Sequence, residues 1–252
     1  MCPMTLVSFN ESQDLAAAWG NVAATPDPHV TVTGDDILVP ELDQIVAYAH
    51  VCDQTVASQA RLRAPSMLAQ GFEEYATQMA TGLVFGIEPE VIDRSQNPIQ
   101  LDRMESLQCQ LLNNPGAAAQ SYHGVWLADG PLQPVTGNIR TLRATAAVTV
   151  VVTGWTNGAL TFPVSLKAGR YQVVGMSVRS VSAVFARLVF SGGGWRPGCP
   201  VCQDEVSRDH PLFRNGMAGV WGEFDSASPP TIDLLGVTST AQEVFLDLIY
   251  MG

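Results

Sequence analysis

The sequence predicts a mainly β protein: an antiparallel, eight-stranded, jelly-roll-like β-sandwich behind an N-terminal arm and a helical segment. Three observations lead there. From Gln120 onward, β-branched and aromatic runs recur at roughly ten-residue spacing. Gly, Asn and Pro turn signals separate them. An α/β fold would place helices between its strands, and that pattern is missing from this half of the chain.

The elements follow in order. Residues 1–40 read as an arm, with turns at Asp27-Pro28 and Gly34-Asp35-Asp36 and a short strand over 29–33. Residues 41–63 predict the strongest helix. Leu42, Ile45, Val46, Ala49, Cys52, Val56 and Ala60 recur at three- and four-residue spacing. Pro65 ends it, because the residue before a proline avoids the helical region. A second helix is expected over 66–79, with Ser66 as its cap and Glu73 and Glu74 in solvent. Residues 82–117 mix short apolar runs with Pro89, Pro98 and Pro115, and 101–113 suits either a helix or an irregular strand pair. This gives three expected regions: an arm (1–40), a helical or mixed region (41–117) and the sandwich (118–252).

Within the sandwich, 121–127 is a strand that ends at Asp129-Gly130-Pro131. Residues 139–144 and 146–155 are β-branched runs. Asn157-Gly158 has the residue types of a type I′ turn, with 159–166 as the returning strand. Ala168-Gly169 turns into two long strands, 170–178 and 181–190, around Arg179-Ser180. A loop over 191–198 and strands over 220–224, 232–235 and 244–250 complete the series.

Composition narrows the function. The chain has 252 residues, of which 46% are hydrophobic and only 15% charged, which excludes intrinsic disorder. Low charge suits a surface covered by neighbours, or a monomer with a neutral polar surface. The net charge is −11, and Lys167 is the single lysine. Arg61/Arg63 and Arg140/Arg143 are only pairs, so direct nucleic-acid binding, which needs clustered cations on phosphates, is not expected. The N-terminus lacks the charged start and long apolar run of a signal peptide. No apolar stretch reaches the length of a transmembrane helix.

The candidate sites are few. Cys199-Pro-Val-Cys202 has the spacing of two zinc thiolates, and His210 stands near enough in sequence for a third ligand. A structural site needs four ligands and no second pair exists, so neither metal nor cofactor is expected. The glycines of 191–198 (SGGGWRPG) lack the lysine and hydroxyl residue of a phosphate loop. Trp195 in that loop and Trp221 are the candidate interaction residues; the competing reading folds such a ring back over the sandwich edge. The stretch from Gly175 to Arg179 lacks the second glycine of a nucleophile elbow. His29, His50, His123 and His210 form no local pair, and the carboxylate pairs Asp35/Asp36, Glu73/Glu74 and Asp204/Glu205 suit turns or solvated faces. The chain is therefore expected not to be an enzyme.

The strand series resembles that of jelly-roll coat and virion-surface proteins of tailless or filamentous viruses and phages. LKAGRYQVVGM (166–176), VFARLVFSGGGWRPG (184–198), FRNGMAGVWGEF (213–224) and VFLDLIY (244–250) carry the resemblance, within residues 120–252. It implies a self-assembling capsid or capsid-surface subunit that contacts copies of itself and other virion proteins, located in the virion; otherwise the cytoplasm is expected. The acidic balance departs from small coats that hold a genome through basic arms, and fits an accessory layer or a shell around a membrane. A carbohydrate- or receptor-binding module using Trp195 or Trp221 is the alternative, and a β-sandwich hydrolase the lesser one.

Overall fold

The computed structural model describes residues 4–38, 41–52, 58–78, 89–202, 209–236 and 242–252. In chain order the strands begin with β1 (Met4–Gln13), β2 (Ala18–Asn21), β3 (Thr31–Thr33), β4 (Asp36–Leu38), β5 (Gln44–Cys52) and β6 (Ser58–Arg63). After the single helical turn α1 (Pro65–Ala69) come β7 (Glu74–Gln78), β8 (Glu90–Asp93), β9 (Ile99–Gln100), β10 (Ser106–Asn113) and β11 (Ala119–Ala128). Then follow β12 (Ile139–Ala146), β13 (Thr156–Ala159), β14 (Arg170–Arg179), β15 (Ala183–Val189) and β16 (Gly198–Cys202). The strands β17 (Gly222–Asp225), β18 (Thr231–Gly236) and β19 (Gln242–Tyr250) end the chain.

Three sheets result. One runs β1-β11-β5-β8, with β9 also on β5. A second runs β3-β4-β10-β6-β7, with β2 on β10. The third has eight strands, in the order β12-β19-β14-β16-β15-β18-β13, with β17 on β14. All its pairings are antiparallel except β14 with β16. Paired backbone bonds between Thr145 and Thr161 (2.9 and 2.8 Å) bring the chain after β13 back against the first strand, so the sheet curls towards closure. That shields part of an edge that would otherwise be open to pairing.

The first sheet is covered on both faces. Val7, Phe9, Tyr48, Val125 and Leu127 share a core with Ala60, Leu62, Leu107 and Leu111 of the second sheet. Leu6, Ala47, Ala49, Val51, Tyr122 and Trp126 share another core with Val184, Phe185, Val201 and Leu234 of the eight-stranded sheet. This layering explains the main correction. Residues 41–63, expected to be a helix, contain β5 and β6. From Ile45 to Cys52 every position is buried, because both faces of β5 are covered. A run buried at every position and mostly apolar satisfies three- and four-residue spacing as a matter of course, so the apparent helical period was produced by burial on two sides. Val56 lies outside the described residues.

Other expectations are corrected likewise. The second helix shrinks to α1, followed by β7. The expected arm carries β1, which pairs with β11 along its whole length from Met4–Ala128 to Gln13–Ala119. The 101–113 ambiguity resolves as strand β10. Asn157 and Gly158 lie inside β13 rather than in a turn, paired with Asp233 and Ile232. The last sheet also has eight strands among the described residues, but they are not the set expected for the sandwich. The strand expected at 121–127 belongs to the first sheet as β11, while β16, expected as a loop end, is a full member. Residues 170–178 and 181–190 are strands as expected, but β16 stands between them.

Close packing of the first sheet on the third depends on Gly124. A Cβ there would come within 2.8 Å of the Phe185 ring. Beside it, Trp126 is fully buried, donates from Nε1 to the Gly198 carbonyl at 2.8 Å, and meets Phe185 edge-on with ring centroids 5.9 Å apart.

Candidate functional site

Cys199, Cys202 and His210, weighed as candidate metal ligands, do not converge. Cys199 and Cys202 lie on β16, where residues three apart point to opposite faces, so they cannot close on one ion. Cys199 faces its partner Ala186 on β15, while the Cys202 thiol lies 3.3 Å from Asp209 Oδ1. His210 instead caps the short 3₁₀ turn 211–213, its Nδ1 accepting from the Leu212 amide at 3.3 Å. Burial lowers the His210 pKa below its ordinary value. Among the described residues, no group of three or more His, Cys, Asp or Glu side chains could hold a metal ion.

The anticipated interaction residues are displaced as well. Trp221 is buried at 5% exposure in the larger core. Trp195 is half-buried against the other core, folded back rather than projecting. Neither ring forms an open contact surface.

What the fold does assemble is two buried charge networks. Arg187, on β15, is fully buried. Its Nε donates to Asp233 Oδ2 at 3.0 Å and its Nη1 to the Leu6 carbonyl at 3.1 Å, and it pairs with Asp27. The guanidinium carbon sits 4.1 Å from the centre of the Trp155 ring. Asn157 donates to the other Asp233 oxygen at 2.8 Å. Beside this knot, Arg196 donates to the His29 ring and, from its amide, to Thr5 Oγ1 at 2.8 Å. Burial, with Arg196 next, lowers the His29 pKa. The knot ties the segment after β2 and strand β1 to β15 and β18. Isolated buried charges are costly; here Arg187 is matched by two carboxylates, while its Nη2 and the Nε of Arg196 are buried without a hydrogen-bond partner.

The second network centres on Asp247 of β19, whose side chain is fully buried. Arg214 grips it with two bonds, Nε to Oδ2 at 2.8 Å and Nη2 to Oδ1 at 3.0 Å. The Asn215 amide (2.8 Å) and Thr141 hydroxyl (2.7 Å) complete its shell. Burial alone would raise the Asp247 pKa; the bonds from Arg214, Asn215 and Thr141 outweigh it and hold the carboxyl below its ordinary value. Arg214 also pairs with Asp209, which accepts from Ser177 at 2.5 Å. Gly175 makes room, since a Cβ there would meet Asp247 Oδ2 and the Phe213 carbonyl at 2.8 Å.

A third buried group joins two histidines that looked unrelated in sequence. His50 and His123 are directly opposed on β5 and β11 and stack with ring centroids 4.6 Å apart and planes 5° from parallel. His50 Nε2 bonds Ser58 at 2.7 Å, His123 Nε2 bonds Ser121 at 3.2 Å, and both Nδ1 atoms are buried without a partner. Burial lowers the His50 pKa to about 3 and the His123 pKa well below the ordinary range. Both rings are therefore neutral at neutral pH.

Sequence reasoning noted His29, His50 and His123 but connected the members of none of the three groups. Arg187 lies 160 residues from Asp27 and 46 from Asp233, so no local spacing marks them. The usable signal was an arginine inside an otherwise apolar strand, Arg187 in 183–189.

Exposed apolar side chains are spread over the surface, Met104, Val151, Val181 and Met217 among them, and three fall within eight residues of one another in sequence. Leu68, Phe72 and Tyr75, on α1, its exit and β7, are 44%, 37% and 47% exposed. The Tyr75 ring meets Trp19 edge-on at 6.0 Å, and Arg61 covers the Trp19 ring at 4.2 Å. Grouped apolar exposure of this kind marks interaction surfaces.

No family model matches this chain, and no curated protein does. Among solved structures it is similar to the major capsid protein P2 from Bacteriophage PM2, at 7% identity and TM-score 0.27, covering 98% of this chain and 97% of that one. It is also similar to the PBSX exported protein XepA, at 9% identity and TM-score 0.21, covering 94% and 88%. At those values neither likeness bears on function. No helix among the described residues is long and apolar enough to cross a membrane.

Proposed function

We propose that this chain is a self-assembling structural subunit, a capsid or capsid-surface protein of a virion. The observation that carries the reading is the exposure of Leu68, Phe72 and Tyr75 on α1, its exit and β7, with Tyr75 against Trp19 on the outer sheet of a layered body. These apolar side chains stand in solvent where the isolated chain has no use for them. Two features support it. Three sheets packed through two cores and tied by the Arg187 knot resist bending, as a shell brick must. A chain with 15% charged residues also leaves large neutral areas for neighbours to cover. The binding-module alternative loses its platform, because Trp221 is buried and Trp195 packs against a core.

Size-exclusion chromatography with light scattering, followed by electron microscopy, tests the proposal. Higher-order species that disappear in the double variant Leu68→Asp/Phe72→Asp support it. A wild-type monomer at high concentration across salt and pH overturns it.

A further inference from the structure

A cavity of about 330 Å³ opens on the eight-stranded sheet beside β12, β14 and β19. Its apolar lining is Leu142, Val164, Leu166 and Leu248. The 164–168 segment forms one wall and is fastened rather than loose. Tyr171 Oη donates to the Lys167 carbonyl at 2.9 Å, and Tyr250 Oη donates to the Ala168 carbonyl at 2.8 Å. Tyr171 is itself stacked on Phe224 at 5.3 Å, which fixes the pin. The groove thus exists before anything enters it, and its volume lies in the range of small-ligand sites.

Its charge is distinctive for so acidic a chain. Arg140 and Lys167 both line the groove, and both are exposed. Elsewhere Arg61, Arg63, Arg94, Arg143, Arg170, Arg187 and Arg214 are paired with carboxylates, while Arg103, Arg179 and Arg196 form no ion pair among the described residues but do not line this groove. Neither Arg140 nor Lys167 has a carboxylate partner among the described residues. Lys167 Nζ instead lies over the Tyr250 ring, 4.3 Å from its centre. Among the described residues, no carboxylate lines the cavity. In a protein of net charge −11, two uncommitted cations at one apolar groove form a local anion attractor.

We propose that this groove binds a small amphipathic anion, with a carboxylate or phosphate head held between Arg140 and Lys167 and an aliphatic tail on Leu142, Leu166 and Leu248. The two cations supply charge-assisted hydrogen bonds to the head. The apolar lining rewards tail length, at roughly fourfold in affinity for each buried methylene. The site is independent of the assembly patch, which lies on α1 and β7.

The test titrates the full-length chain with butyrate, hexanoate and octanoate below their micelle concentrations, with octyl phosphate and with octanol, reading calorimetry and thermal shift. Expected are saturable binding that tightens from butyrate to octanoate, at least tenfold weaker binding of octanol, and loss of octanoate binding in Arg140→Gln/Lys167→Gln. Comparison of octanoate with octyl phosphate assigns the head group. Leu142→Trp, which fills the groove from a half-buried position, should abolish binding while leaving the charges in place. No saturation by either anion overturns the proposal. So does unchanged affinity in both variants, or protection of the groove by a second copy of the chain with no ligand uptake.

Discussion

Replacing Arg187 by Met is the most incisive perturbation of this fold. The change removes a fully buried guanidinium and leaves the Asp27 and Asp233 side chains, 3% and 11% exposed, without their cation. Breaking a buried ion pair from one side costs about 3–5 kcal/mol, because the remaining charge stays desolvated. Each carboxylate keeps one donor, the His29 amide for Asp27 (2.9 Å) and Asn157 for Asp233 (2.8 Å). That places the loss near the lower end, about 3 kcal/mol, or roughly 6–12 °C in Tm for a chain of this size. Urea and thermal unfolding followed by tryptophan fluorescence measure it, with Trp155 against the guanidinium as a local reporter. The triple variant Arg187→Met/Asp27→Asn/Asp233→Asn removes the stranded charges and should recover most of the loss. If Arg187→Met costs less than about 1 kcal/mol, or the triple variant is no more stable than the single one, the knot is not desolvated as described and the reasoning fails.

Three further outcomes are expected. Because His50 and His123 are neutral when folded but protonate near the ordinary value when unfolded, the unfolded state takes up more protons as pH falls. Stability is therefore complete above about pH 6.5 and declines below it towards the folded His50 value of about 3, by roughly 1.4 kcal/mol per pH unit for each ring. Unfolding free energy against pH should show that slope, and His50→Gln/His123→Gln should flatten it, leaving the smaller contributions of His29 and His210; parallel slopes would contradict the assignment. Asp247, with its lowered pKa, contributes stability that is present above the ordinary carboxyl range and lost as pH falls through its folded value. Asp247→Asn should lower stability at pH 7 by about 3 kcal/mol, measured by denaturant titration, since it leaves Arg214 without its main partner. Gly124→Ala drives a methyl group into the Phe185 ring and should cost about 1–3 kcal/mol in the same assay.

The C-terminal strands were legible because their signals are local. Residues 170–178, 232–235 and 244–250 carry β-branched and aromatic runs bounded by turn residues, and they fold as β14, β18 and β19. The strand β16 was missed because a glycine, a proline and two cysteines spell no strand propensity; it forms because β14 and β15 flank it. The candidate sites were less legible still. A tryptophan in a loop announces neither exposure nor burial, so Trp195 and Trp221 could be placed only by the packing around them.

The sequence by itself determined that this chain is mainly β and that it is acidic with few charges. Those properties follow from composition and from patterns within a few residues. The tertiary structure alone decided that β5 is a strand, since a segment buried at nearly every position fits a helix period until covering layers on both faces show why it is so apolar. It also decided which polar side chains meet. Arg187 with Asp27 and Asp233, Arg214 with Asp247, and His50 on His123 are joined across long stretches of chain, where strand pairing and packing set the distances.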